Sequence, residues 1–518
     1  MEFMRLKVAV VDHYERLLRQ SRVAEFTSDL DRTQWLSAEE LRRLQWQRLQ
    51  RLLQYAAQHV PYYRRVFRSL GLQASDLRTW QDFSLLPLLT KPLMQQYAAE
   101  LKTDDPRCHA IPHHTGGSTG QPVHFYLSPS SRDFRIAAAN RADGWTGWRR
   151  GQRVMHLWSV NVFNRAVYAS RKARLRDWLE SRLMVNFADY SPAKLINLIN
   201  EYRPSLLVAY TTPLYQLARH ILDVGGLRWH PQAAVVSAET LHDFQRAAIE
   251  QAFGCPVFNR YGCSEVGCIA AECEQHNGLH VMSDSLIVEL LPVPNDPTQD
   301  LQQVVVTDLN NFATPFIRYQ TGDLARWKRG DPCACGRQLP RFELVAGRVM
   351  DCLRAPDGRL IPGQLALRLF ESLSGIRQFQ LVQDSPDHVL VKLVAEATES
   401  RELDTQLEQG LKQLLGHSLT ITIQRVEQIP LAPSGKHRYI VNAAGVSGQR
   451  QGVTEKPASV SVTTDPLLAA LANVVEAQRQ FAMECRQRGY EAFAREADTI
   501  ADACSNRLRA LTAMKQLP

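Results

Sequence analysis

Leu41, Leu44, Leu49 and Leu53 recur among arginines and glutamines at helical spacing, which predicts helix over residues 12–57. Pro61, Pro87, Pro92, Pro106 and Pro112 break up the stretch that follows. From about 132 to 290 the pattern changes. Short apolar runs at 206–209, 233–236, 256–258 and 286–291 alternate with helical segments, the signature of a layered α/β core. A second block over 352–443 carries strand-like runs at 379–382, 389–394 and 419–426, with a helical segment at 402–415 between the last two. That is the pattern of a small α+β domain. Residues 444–464 are rich in Gly, Ser, Thr and Gln and read as a linker. Asp465 and Pro466 then supply an N-cap and a first helical position. Tyr490, Phe493, Ala497, Ile500, Cys504, Leu508 and Leu511 form one apolar stripe, which packs on the chain's own body or serves self-association or a carrier-protein partner. The expected division is a large domain over 1–350 with a helical part at 1–110, a small domain over 351–443, the linker, and a helical extension over 465–518.

Composition narrows the class without changing that outline. At 518 residues the chain is too long for one core. No run approaches the eighteen or so apolar residues of a membrane span. The apolar residues 8–11 give way at once to Asp12, His13, Glu15 and Arg16, so no secretion signal is read and a cytoplasmic protein is expected. The net charge of +8 is spread, with arginines mixed among acids as at Arg141 and Asp143. Such mixing predicts a solvated surface that attracts polyanionic small molecules and argues against a nucleic-acid face. Ten cysteines without a secretory context read as thiols or metal ligands.

The segment Thr115-Gly116-Gly117-Ser118-Thr119-Gly120 sets three glycines among three hydroxyl residues. Such a loop can turn N–H and O–H groups towards phosphate oxygens. No Gly-Lys-Ser/Thr follows, so it is not a Walker loop. Downstream stand Tyr261-Gly262-Cys263-Ser264-Glu265, Arg318-Tyr319-Gln320-Thr321-Gly322-Asp323, Gly347-Arg348-Val349-Met350-Asp351 and Pro433-Ser434-Gly435-Lys436. In this order they resemble the adenylate-forming superfamily of acyl-CoA synthetases, adenylation domains and luciferases. Val60-Pro61-Tyr62-Tyr63-Arg64 and Leu86-Pro87-Leu88-Leu89-Thr90-Lys91 look like the phenylacetate–CoA ligase family and its capsule-associated relatives. The resemblance covers about residues 40–440.

The resemblance implies a large adenylating domain, a small mobile C-terminal domain, and ATP-dependent conversion of a carboxylic acid to its acyl-adenylate. Transfer to coenzyme A follows. It also implies a role for each matched residue. Thr115, Gly117, Ser118, Thr119 and Gly120 would hold the β- and γ-phosphates. Gln121 stands where relatives commonly carry Lys. Ser237, Ala238 and Glu239 would present main chain to adenine, Tyr261 and Gly262 would lie against it, and Ser264 belongs to the same run. Glu265 would hold Mg²⁺, for which a carboxylate is the expected ligand. Asp323 would accept from the ribose hydroxyls, Arg348 would lie near the ribose and α-phosphate, and Lys436 would neutralise charge in the transition state. At the hinge, Met350 replaces the first of two aspartates, leaving Asp351.

Cys333 and Cys335 form one close pair, and Cys273 is followed by His276 and His280. Three thiols and one imidazole satisfy a closed structural Zn²⁺ site. The family resemblance, with histidine in a Gly-Leu-His run, selects His280. The acyl acceptor stays open between coenzyme A, an amine and a carrier-protein thiol. An oxidative reaction and a non-catalytic nucleotide-binding protein are weaker alternatives. The acid's pocket is expected between about 140 and 265, with Trp158 a candidate wall.

Overall fold

The computed structural model describes residues 21–114, 123–158, 177, 180–293, 296, 298, 300–348, 352–363, 366, 369–370, 373, 375–385, 387–395, 401–430 and 439–442, with 483, 502 and 505. The phosphate-loop residues Thr115, Gly117, Ser118, Thr119, Gly120 and Gln121, the hinge residues Met350 and Asp351, and Lys436 lie outside the described residues. So do the linker and nearly all of the C-terminal stripe.

The N-terminal layer is helical, but as separate helices rather than one. Val23–Thr33 and Ala38–His59 are divided by a turn, and Ser37 restarts the helix through a reciprocal capping box with Glu40. Such a cap contributes about 1 kcal/mol. Pro61 then opens the helix Pro61–Leu70 at a position where a missing N–H costs nothing. A small hairpin follows, formed by β1 (Ile111–His114) and β2 (His124–Leu127).

The centre is an eleven-stranded sheet. Its parallel half comprises β3 (Val154–Trp158), β4 (Arg182–Asn186), β5 (Leu206–Tyr210), β6 (Ala233–Ser237) and β7 (Val257–Cys263), in the order β4-β3-β5-β6-β7. β5 and β6 are apolar almost throughout because both faces are covered. The helices Pro192–Tyr202, Thr211–Val224 and Asp243–Phe253 pack on one face. At β7 the sheet turns antiparallel. It continues in the spatial order β8-β9-β13-β12-β11-β10, from β8 (Gly267–Glu272), β9 (Leu279–Val281), β10 (Leu286–Leu291), β11 (Gln302–Asp308), β12 (Tyr319–Trp327) and β13 (Arg341–Arg348). Beyond it, β14 (Cys352–Arg354) and β15 (Leu360–Pro362) form a hairpin. A four-stranded sheet follows, in the order β18-β17-β16-β19, from β16 (Ile376–Ser385), β17 (His388–Ala395), β18 (Thr420–Arg425) and β19 (Ile440–Asn442). Leu403, Leu407, Leu411 and Leu415 of the helix Arg401–Leu415 join a separate core with these strands.

Two charged residues expected on a solvated surface are instead interior. Arg141 and Asp143, on the helix Pro129–Gly144, are 2% and 6% exposed. Arg141 pairs with Asp284, which also accepts from Thr33 Oγ1 at 2.6 Å. Asp143 accepts from Arg260 Nη1 at 2.7 Å. Buried charges persist where each meets an opposite partner, and alternation of sign along a sequence cannot distinguish that from solvation.

Candidate active site and four-donor cluster

β7 and β8 form a hairpin whose turn carries Ser264 and Glu265. Gly262 is required there by space, since a Cβ would lie 2.4 Å from the Gly267 carbonyl oxygen. Arg135, from the helix Pro129–Gly144, grips the turn. It donates to the Ser264 carbonyl at 2.9 Å and to the Glu265 carbonyl, and pairs with Asp308 at 3.3 Å. The Glu265 carboxylate accepts from Tyr319 Oη at 2.9 Å. On the neighbouring strand face, Tyr261 Oη donates to Asp323 Oδ2 at 2.7 Å. Burial, reinforced by the carboxylate each one faces, raises both phenols above the ordinary tyrosine range. They stay protonated and act only as donors to the two carboxylates. Cys263 lies among Glu265 and Asp323, its thiol pushed up by burial and by Glu265.

The bend after β6 places Ala238 between two residues whose side chains are held in hydrogen bonds. Ser237 Oγ donates to the Arg260 carbonyl at 2.8 Å. Glu239 accepts from Thr212 N–H at 2.7 Å, near the start of the helix Thr211–Val224. Ala238 between them is exposed, with φ of 71°. This bend sits at the carboxyl end of a parallel strand, where open α/β sheets bind ligands. β12 and β13 pair Asp323 with Arg348 in register; the Arg348 side chain lies outside the described residues.

Strand β12 is itself anchored in the N-terminal layer. Leu89 N–H donates to the Arg318 carbonyl at 3.0 Å, and Gln320 N–H returns to the Leu89 carbonyl at 2.9 Å. The Arg318 guanidinium reaches the Leu86 carbonyl at 2.6 Å and Glu289 at 2.9 Å. Tyr319 therefore holds Glu265 from a strand stitched to residues 86–89. The sequence marked the run from Arg318 to Asp323 but assigned nothing to Arg318 or Tyr319. It gave no sign of Arg135, since a single arginine on an ordinary helix carries no motif.

At the other end of the hairpin, Cys273, His280, Cys333 and Cys335 bring their ligand atoms within 4.8 Å of one another. Cys273 Sγ lies 3.7 Å from Cys333 Sγ, too far for a disulfide, and Cys335 Sγ lies 3.4 Å from His280 Nε2. His280 Nδ1 is 3.2 Å from the Leu339 carbonyl, so Nδ1 carries the proton and Nε2 presents its lone pair to the thiols. Burial lowers His280 to about 4, which keeps the imidazole neutral. His276 is turned elsewhere, towards Glu272 at 3.3 Å.

The fold is similar to that of solved adenylate-forming acyl-CoA ligases. A crystal structure of 2-hydroxyisobutyryl-CoA ligase in the postadenylation state, in complex with R3-HIB-AMP, superposes with a TM-score of 0.63 at 21% identity, covering 81% of this chain and 94% of that one. Residues 353–443 match the family model of the CapK C-terminal domain. Relatives in sequence are Protein CapK of Staphylococcus aureus, 26% identical over 78% of this chain and 89% of its own, and the phenylacetate-coenzyme A ligase of Thermus thermophilus, 24% identical over 79% and 97%.

Proposed function

We propose that this chain activates a carboxylic acid with ATP and passes the acyl group to coenzyme A. The observation that carries the reading is the pair of carboxylates, Glu265 and Asp323, each held by a protonated phenol. A phenol orients a carboxylate without cancelling its charge. Glu265 is left able to ligate a cation, and Asp323 to accept from vicinal hydroxyls. The homology to phenylacetate-coenzyme A ligases supports the same chemistry.

In the first step a carboxylate oxygen attacks the α-phosphorus of ATP, giving acyl-AMP and pyrophosphate. In the second the thiol of coenzyme A attacks the acyl carbon, its proton is lost, and AMP departs with the bonding pair. Glu265 would hold Mg²⁺, which neutralises phosphate charge when bound. Thr115, Gly117, Ser118, Thr119 and Gly120 would cradle the departing phosphates, Ser237 to Glu239 and Tyr261 would frame adenine, and Arg348 would face the α-phosphate. Lys436 would meet the developing charge. Residues 351–443 are the unit proposed to move between the steps, and the cytoplasm, where ATP and coenzyme A meet, is the proposed setting. Among the described residues no helix is long and apolar enough to cross a membrane.

The four-donor cluster is proposed to hold a structural Zn²⁺. Zn–S near 2.3 Å and Zn–N near 2.0–2.1 Å give tetrahedral edges of about 3.8 Å between thiolates and about 3.6 Å between thiolate and imidazole. The separations of 3.7 and 3.4 Å fit these edges.

Carboxylate-dependent exchange of labelled pyrophosphate into ATP, without coenzyme A, tests the activity across aryl, fatty and amino acids. Exchange with one acid class, followed by thioester formation only when coenzyme A is added, is expected. Exchange without any coenzyme A-dependent product would move the acceptor to an amine or a carrier protein.

A further inference from the structure

The carboxyl ends of the parallel strands present two rows of side chains on one face. Strand register places Asn186, Trp158, Tyr210, Ser237 and Arg260 in the outer row. Two residues further in, and so on the same face, Met184, His156, Val208, Val235 and Phe258 form the inner row. The outer row ends beside the Ala238 bend. Trp158 and Tyr210 touch, with ring centroids 4.3 Å apart, and Phe187 closes on Tyr210 at 6.0 Å. Arg260 is committed to Asp143.

His156 is the anomaly in this surface. It sits among Met184, Val208 and Val235, yet neither ring nitrogen meets a hydrogen-bond or ionic partner among the described residues. It is deep in the protein but only half-buried at its surface, which means that it faces accessible space. Burial, with Arg182 and Arg260 adding to it, lowers its pKa to about 3, so the imidazole is neutral and offers one donor and one acceptor. An imidazole that reaches accessible space among apolar neighbours is placed to meet a polar group of a ligand.

We propose that His156 selects the acid: the substrate carries a hydroxyl group remote from its carboxylate, on an apolar body that lies along Trp158. The inference rests on the adenylation reading of the same site. A hydroxyl can donate or accept, so it pairs with whichever ring nitrogen faces it. A second carboxylate would use only the imidazole's donor and would find Arg182 and Arg260 already paired, with Asp177 and Glu180 and with Asp143, while an ammonium would use only the acceptor. The row spacing supports the geometry. His156 lies two strands and one side-chain row from Ser237, about 12 Å between backbones, a gap that the His156 side chain and a ring or short chain together fill.

Pyrophosphate exchange with matched acids that differ only in the hydroxyl tests this, for example 4-hydroxyphenylacetate against phenylacetate and 4-hydroxybenzoate against benzoate. The wild-type chain is expected to favour the hydroxylated member by about 100-fold or more in kcat/KM. His156→Leu should lose about 100-fold on that member, keep its rate on the other, and leave the KM for ATP unchanged. His156→Asn, which retains a donor and an acceptor, should recover part of the preference and guards against a folding defect in the leucine variant. Equal or better use of unsubstituted acids, or equal losses on both members in His156→Leu, would overturn the assignment while leaving adenylation intact. No exchange with any acid, from protein that binds ATP, would overturn both.

Discussion

The hairpin of β7 and β8 has a glutamate at each end, and the two are held in opposite ways. Glu272, at the end of β8, receives Arg246 Nη2 at 2.7 and 2.9 Å and the Asn259 N–H at 2.8 Å. Burial alone would raise its pKa, but His276, Arg246 and Asn259 together lower it. Roughly 20 Å of strand away, Glu265 meets a neutral donor, the Tyr319 phenol. A guanidinium cancels the charge it binds and turns a carboxylate into masonry. A phenol fixes direction and leaves the charge available. The difference separates the end that braces the sheet from the end that can act on a ligand.

The sharpest break of this contrast is a pair of isosteric changes. Glu265→Gln should lower pyrophosphate exchange by about 100- to 1,000-fold with melting temperature nearly unchanged. Glu272→Gln should do the reverse. It takes from Arg246 its closest carboxylate, while Glu250 at 3.9 Å and 24% side-chain exposure remain, so the cost is about 2–3 kcal/mol rather than that of a fully buried pair. A melting temperature lower by about 4–12 °C, with near-normal kcat in the folded protein, is the expected result. If both variants lost rate without losing stability, the division of labour along the hairpin would be wrong.

The bracing end is sharpened next through the four donors beside Glu272. Elemental analysis should find one zinc per chain, and a chelator or Cys333→Ser should lower the melting temperature by about 5–10 °C without changing the KM for ATP. A metal-free chain of full stability would reduce the cluster to three free thiols and a histidine. The smallest effect is expected at Tyr319→Phe. It keeps the ring packing and removes one hydrogen bond to Glu265, worth about 1–2 kcal/mol, or roughly 10-fold in exchange rate. No change in rate would mean that Glu265 needs no orienting donor.

How far these features could be read in advance follows from their physics. The segments 206–209 and 233–236 announce themselves because strands covered on both faces are apolar throughout. The helix Arg401–Leu415 does so because one leucine stripe faces a single sheet. Cys273, His280, Cys333 and Cys335 were legible as a group because thiols in short clusters are rare enough to invite a joint reading. Arg141, Asp143 and Arg135 were not, because their partners lie more than a hundred residues away in sequence. His156 was equally silent. A histidine in an apolar run looks like any other strand position until its neighbours are seen to leave it without a partner.

The tie between Arg318 and the carbonyl of Leu86 spans 232 residues of sequence. On a ribosome adding about 5–20 residues per second, the segment 84–89 waits on the order of 10–50 s before the strand that will fasten it exists. Through that interval the apolar faces of Ala38–His59 and Pro61–Leu70 have no β12 to close against. The strand that aims Glu265 is thus also the latch of the nascent chain's first layer, and a defect there would surface as poor yield of protein before it surfaced as poor turnover.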